Sequence, residues 1–176
     1  MKLPEVNGLI LWLLPADDAA RHYSDIIKKL AYRCQSYPFI PHVTISRVPN
    51  WESDQIKRAV DKVSAAVPLF DLPVETIHCG DQPYQKITVE VHKTEDLKKL
   101  SDELDCVLGG PFSKREYPHL SLLYSTMPCN DFTEEQEMLK SEILSPIKIE
   151  KLALIELTGT PDTWQVMYSK KLTGDS

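Results

Sequence analysis

Pro41-His42-Val43-Thr44 and Pro118-His119-Leu120-Ser121 set one short motif twice into a chain of 176 residues. The surroundings repeat as well. After His42 come a polar turn at Pro49-Asn50, an amphipathic stretch with Ile56, Val60, Val63 and Val67, then Pro68 and a strand with Val74 and Ile77. After His119 come a polar turn at Met127-Pro128-Cys129-Asn130, a stretch with Phe132, Gln136, Leu139 and Ile143, then Pro146 and a strand with Ile147 and Ile149. The closing prolines fall 26 and 27 residues after their histidines (68 − 42 and 146 − 119). Matched motifs, element order and spacing predict an internal duplication, and so a fold of two similar halves.

The motif carries chemistry as well as symmetry. In a strand, residues two apart point to the same face, so each motif sets an imidazole beside a hydroxyl. Two such pairs facing each other give an acid, a base and two hydroxyl donors around one anion. Hydrolysis of a phosphate ester needs that set. The bare pattern recurs in His22-Tyr23-Ser24 and His92-Lys93-Thr94, so context has to sort it. His22 lies in a stretch of helical periodicity, where i and i+2 do not share a face. Thr94, followed by Glu95-Asp96 and the Leu97/Leu100/Leu104 stripe, reads as a helix N-cap.

Composition narrows the partners. Net charge is −6 and no basic cluster stands out, which disfavours extended RNA or DNA and favours a small anionic ligand held by a few aimed groups. No run approaches a membrane span, and the start does not read as a signal peptide, so a cytoplasmic protein is expected. Cys34, Cys79, Cys106 and Cys129 are scattered without Cys-x-x-Cys spacing and are expected to be free thiols. His78-Cys79 face opposite ways on a strand, so no metal site is expected there.

Periodicity predicts strands at 9–14, 39–48, 69–79, 85–91, 118–125, 147–157 and 163–171, the last two as a hairpin across 158–162. Helices are predicted at 17–34, 52–67, 95–108 and 134–144, with Gly109-Gly110 ending the third and a Thr133-x-x-Gln136 capping box starting the fourth. The whole chain, 1–176, reads as one domain.

Pro41-His42-Val43-Thr44 and Pro118-His119-Leu120-Ser121-Leu122-Leu123-Tyr124 resemble the paired signatures of the two-histidine phosphoesterase superfamily. Leu11-Trp12-Leu13-Leu14-Pro15, Phe39-Ile40 before the first motif, Leu152-Ala153-Leu154 and Thr163-Trp164-Gln165-Val166 resemble the plant and fungal cyclic phosphodiesterases within it. The resemblance implies an α+β fold of two pseudo-symmetric lobes, each an antiparallel β-sheet flanked by helices, with a central cleft. It implies hydrolysis of ADP-ribose 1″,2″-cyclic phosphate, a by-product of tRNA splicing, and of nucleoside 2′,3′-cyclic phosphates, with no metal or other cofactor. An RNA-end cyclic phosphodiesterase and a non-catalytic nucleotide-binding protein are the alternatives. A monomer is expected.

On this reading His42 and His119 are catalytic, with His119 as base and His42 as acid, and Thr44 and Ser121 bind the phosphate oxygens. Tyr124 matches a phosphate-contacting position of the family, although on a regular strand it would point away from Ser121. Trp12, Trp51, Trp164, Tyr37, Tyr84 and Tyr117 are candidates to stack a base, with Trp164 and Tyr84 foremost. Lys86 and Arg47 are candidates to attract the anion.

Overall fold

The protein is described by a computed structural model covering residues 2–48, 52–110 and 117–175. The Pro49-Asn50 turn and Trp51 lie outside the described residues. Among the described residues, eight strands and four α-helices follow in the order β1 (Gly8–Pro15), α1 (Asp17–Arg33), β2 (Val43–Arg47), α2 (Ser53–Ala66), β3 (Phe70–Leu72), β4 (Val74–Cys79), β5 (Ile87–Val91), α3 (Glu95–Leu108), β6 (His119–Leu123), α4 (Thr133–Leu139), β7 (Ile147–Leu157) and β8 (Gln165–Lys171).

The strands form one antiparallel sheet in the order β3-β7-β1-β2-β6-β5-β4, with β8 also paired to β7. Exchanging β1 with β5, β2 with β6 and β7 with β4 returns the order β7-β1-β2-β6-β5-β4. The sheet is therefore two pseudo-symmetric lobes, meeting where Val43 of β2 pairs with Leu120 of β6. Each lobe borrows a strand: β4 follows β2 in sequence but pairs in the β5-β6 lobe, and β7 follows β6 but pairs with β1. The residues at the seam are the centres of the two motifs, so both histidines stand beside it.

Helices cover one face of the sheet. α1 buries Tyr23, Ile26, Ile27 and Leu30, and α3 buries Leu97, Leu100, Leu104 and Leu108, at the i, i+3, i+4 spacing of an apolar stripe. They pack with Leu11, Leu13, Val43, Val89 and Leu120 into the main core. Residues of opposite parity on the first lobe, Ile10, Trp12, Ala153, Ile155 and Leu157, form a second apolar cluster on the other face. Alternation explains the split: the apolar run 9–14 supplies both faces of β1. That second face is the floor of the cleft.

Several local expectations change. β2 begins at Val43 rather than Phe39, since Pro38 and Pro41 lack the N–H a strand ladder needs. α4 is shorter than 134–144, and its capping box does not form. The chain enters through a 3₁₀ turn at Cys129–Phe132, so Thr133 already lies inside the helix; its hydroxyl donates to the Asn130 carbonyl, and the Gln136 amide donates to the Phe132 carbonyl. The N-cap of α3 forms as expected, with Thr94 Oγ1 accepting from the Leu97 N–H at 3.2 Å.

The cysteine expectation is corrected. Cys79 and Cys129 form a disulfide, with Cα atoms 5.9 Å apart across a sequence separation of 50, while Cys34 and Cys106 are free. Spacing along the chain gave no hint of it, because the pairing joins the end of β4 to the turn before α4 through tertiary contact alone. No helix among the described residues is long and apolar enough to cross a membrane.

Candidate active site

His42 is the last residue before β2 and His119 is the first of β6. Their settings are built alike. His42 Nδ1 donates to the Ile40 carbonyl at 2.6 Å, and His119 Nδ1 donates to the Tyr117 carbonyl at 3.0 Å. The partner is two residues back in both cases, across Pro41 and Pro118. A carbonyl can only accept, so Nδ1 carries the hydrogen in both rings and Nε2 is the basic nitrogen when the ring is neutral. Proline restrains the backbone that presents each carbonyl.

The two rings open onto one cavity of about 110 Å³, lined also by Thr44, Ser121 and Tyr124. A space of that volume accommodates a phosphoryl group. Trp12, Tyr84, Gln85, Arg47 and Trp164 complete much of its wall. Among the described residues, no group of three His, Cys, Asp or Glu side chains is arranged to hold a metal ion.

The walls differ. His42 is 4% exposed and lies flat on the Trp12 indole, with ring centroids 3.5 Å apart and planes at 7°. Register places Trp12 of β1 directly opposite Thr44 of β2, so indole, imidazole and hydroxyl share one face. Phe39 meets His42 edge-on at 6.2 Å. His119 is only half-buried. On its strand Ser121 is buried opposite Thr88, and the Ser121 hydroxyl donates to the Tyr84 carbonyl at 3.2 Å.

Tyr124 reaches the cavity because β6 ends at Leu123, which frees the next residue from strand alternation. Its ring stacks on Phe39 at 3.8 Å and meets Tyr84 and Trp164 at 5.2 and 6.0 Å. Burial, and secondarily the Glu5 carboxylate, raise the pKa of the Tyr84 phenol above its ordinary value.

The remaining candidates separate. Trp12, Tyr84, Trp164 and Arg47 line the cavity. Tyr37 packs against the main core, and Tyr117 is 70% exposed beside an adjoining pocket. Lys86 is buried and is not on the cavity wall. His22 Nε2 hydrogen-bonds the Glu142 carbonyl at 2.6 Å, and His92 follows β5; neither joins the site. Sequence reasoning missed Gln85, Ile10 and Leu157. The alternation of Ile10 and Trp12 against Leu11 and Leu13 is the signal that could have found Ile10.

The family described as "Cyclic phosphodiesterase-like protein" matches residues 7–108, more than half of the chain and including His42 and Thr44. The chain belongs to that family. A 2′,3′-cyclic-nucleotide 3′-phosphodiesterase of Phaeosphaeria nodorum is 29% identical over 193 residues, covering 94% of this cyclic phosphodiesterase-like chain and 99% of that protein. An uncharacterized protein of Schizosaccharomyces pombe is 23% identical over 134 residues, 70% of this chain, and the alignment spans 64% of that relative's length. Among solved structures, TT0787 of Thermus thermophilus superposes with TM-score 0.60 at 12% identity, covering 97% of this chain and 100% of that one. Escherichia coli LigT, solved with 3′-AMP, superposes at 0.54 and 12% identity, covering 96% and 99%. These likenesses show a shared fold.

Proposed function

We propose that this protein hydrolyses small cyclic phosphodiesters without a metal, acting as one domain through His42 and His119. The observation that carries the reading is the meeting of both imidazoles and both hydroxyls, Thr44 and Ser121, on one cavity of phosphoryl size.

His119 Nε2 takes a proton from water as the water oxygen attacks phosphorus. The P–O bond to one ribose oxygen breaks in line with that attack, and the departing oxygen takes a proton from His42 Nε2. One oxygen stays esterified, so a nucleoside 2′,3′-cyclic phosphate leaves as the 2′-phosphate. Imidazole serves both roles near neutrality. Thr44 and Ser121 donate to the non-bridging oxygens, where charge develops. A hydroxyl has one hydrogen, so Ser121 must turn from the Tyr84 carbonyl when the anion arrives. Tyr124 borders the same anion.

The substrates are nucleoside 2′,3′-cyclic phosphates and ADP-ribose 1″,2″-cyclic phosphate. The printed function of the Phaeosphaeria relative and the nucleotide ligand of LigT support a small nucleotide. Base contacts fall to Trp164 and Tyr84. A monomer in the cytoplasm belongs to the same proposal. Incubation with EDTA and each cyclic substrate, beside an oligonucleotide ending in a cyclic phosphate, tests it. Turnover of the mononucleotides supports the reading, turnover of the oligonucleotide alone transfers the protein to RNA-end processing, and binding without turnover leaves a nucleotide-binding protein.

A further inference from the structure

The two imidazoles sit in unlike electrostatic surroundings. Behind His119 a second cavity of about 500 Å³ opens, sharing His119 and Gln85 with the first. Among the described residues, its wall carries Glu90 and Asp81 and no lysine or arginine. Among the described residues, the cavity at His42 has Arg47 as its one charged wall residue outside the histidines.

Glu90 holds a defined position within that second cavity. It lies on β5 directly opposite His119 on β6. The Val91 N–H donates to the Pro118 carbonyl at 3.0 Å, one residue beyond Glu90 and one before His119. In an antiparallel ladder this marks Glu90 and His119 as a non-hydrogen-bonded pair, the kind with Cα atoms about 4.5 Å apart and side chains closest. Directly opposed residues project to the same face, and both line the same cavity. Glu90 is half-buried, so solvent screens it only in part.

We propose that Glu90 is a positioning residue for His119, its carboxylate holding the imidazolium that forms when His119 takes the proton from water. This rests on the reading of His119 as the base. Nδ1 is already committed to the Tyr117 carbonyl, so Glu90 acts on the ring's charge rather than on its tautomer. An opposite charge across one strand spacing raises the proton affinity of an imidazole.

Other titratable and charged groups face the pair. His78 on β4 and Asp81 after it share the second cavity, with Tyr117 at its edge. Across the first cavity stand His42, Arg47, Tyr84 and Tyr124. On its far side Glu90 borders a small pocket with Glu75 and Lys93. Asp81 is exposed and lies on a loop rather than in register with His119, so its field at the ring is the weaker of the two carboxylates.

The test is an NMR titration of the His119 ring, its signal assigned by loss in His119→Gln. Glu90→Gln keeps the shape and removes the charge. Its midpoint should fall by about 0.5–1 pH unit, that of Asp81→Asn should fall by less, and that of Glu75→Gln should not move. Glu90→Asp should restore most of the wild-type value. With 2′,3′-cyclic AMP, the acidic limb of the kcat/KM profile should move to lower pH in Glu90→Gln by the same amount, because a weaker base loses its proton sooner. An unmoved midpoint overturns the assignment of Glu90 even in an active enzyme. A shifted midpoint in a protein that hydrolyses nothing overturns the proposed activity and leaves the pairing standing. A shift of the alkaline limb in place of the acidic one overturns the role of His119 as base.

Discussion

His42 and His119 are alike in backbone and unlike in burial, so their loss should have unlike costs. Replacing either with alanine should lower turnover of 2′,3′-cyclic AMP by ~10²-fold or more, read from initial rates with EDTA present. Stability should separate them. His42 is 4% exposed and stacked on Trp12, so its truncation leaves a void against an indole and should cost about 1–3 kcal/mol in urea denaturation. His119 is half-buried and should cost less. The motif pairs were legible from the strand period alone, and so was the rejection of His22 and His92 from their helical and capping contexts. The Trp12–His42 stack was not. It depends on the register of β1 against β2, and a continuous apolar run says that both faces of a strand are buried without saying which partner lies opposite.

Elements were legible where a local signal decides them. α3 has its Thr94 cap, its leucine stripe and Gly109 in the left-handed conformation at φ 72°, and its observed span matches the expected one. Thr94→Ala should therefore cost about 1 kcal/mol, measured as a drop in urea midpoint at constant slope. α4 was misjudged because the chain enters it through a 3₁₀ turn and leaves it at Leu139, and the segment beyond is tied to α1 by contacts that no local pattern reports. Tyr23 of α1 donates to the Leu144 carbonyl at 2.9 Å, and His22 reaches the Glu142 carbonyl beside it. Burial, partly opposed by the Leu144 hydrogen bond, pushes the Tyr23 phenol up from 10.0 to about 12. The unfolded chain then gives up this proton near its ordinary value and the folded chain later. The Tyr23 contribution to stability is complete below pH 10 and is lost as pH rises from there towards about 12. Alkaline unfolding followed by circular dichroism should show that decline, and Tyr23→Phe should flatten it.

At the scale of the molecule, repetition in the chain becomes pseudo-symmetry in the sheet. Each half ends in a strand that pairs in the other lobe, so the lobes hold each other in register. The seam at Val43–Leu120 falls between the two histidines for the same reason. Matched motifs and matched proline spacing made two lobes legible in the chain. The strand exchange was not legible, because periodicity names strands and not their neighbours. The Cys79–Cys129 disulfide was missed on the same ground, since it records a tertiary contact between segments 50 residues apart. Alkylation of the unfolded, unreduced chain should modify two thiols, Cys34 and Cys106, and prior reduction should raise the count to four. Replacing either bridged cysteine with serine should lower stability by about 2–4 kcal/mol.

The central claim is that one oxyanion is held by both imidazoles at once. Titrating the protein with inorganic phosphate while following the ring signals of His42 and His119 by NMR tests it most directly. Both signals should move along one binding curve with a single dissociation constant and one phosphate per chain. Two independent curves, or movement of one ring while the other stays still, would contradict a shared site.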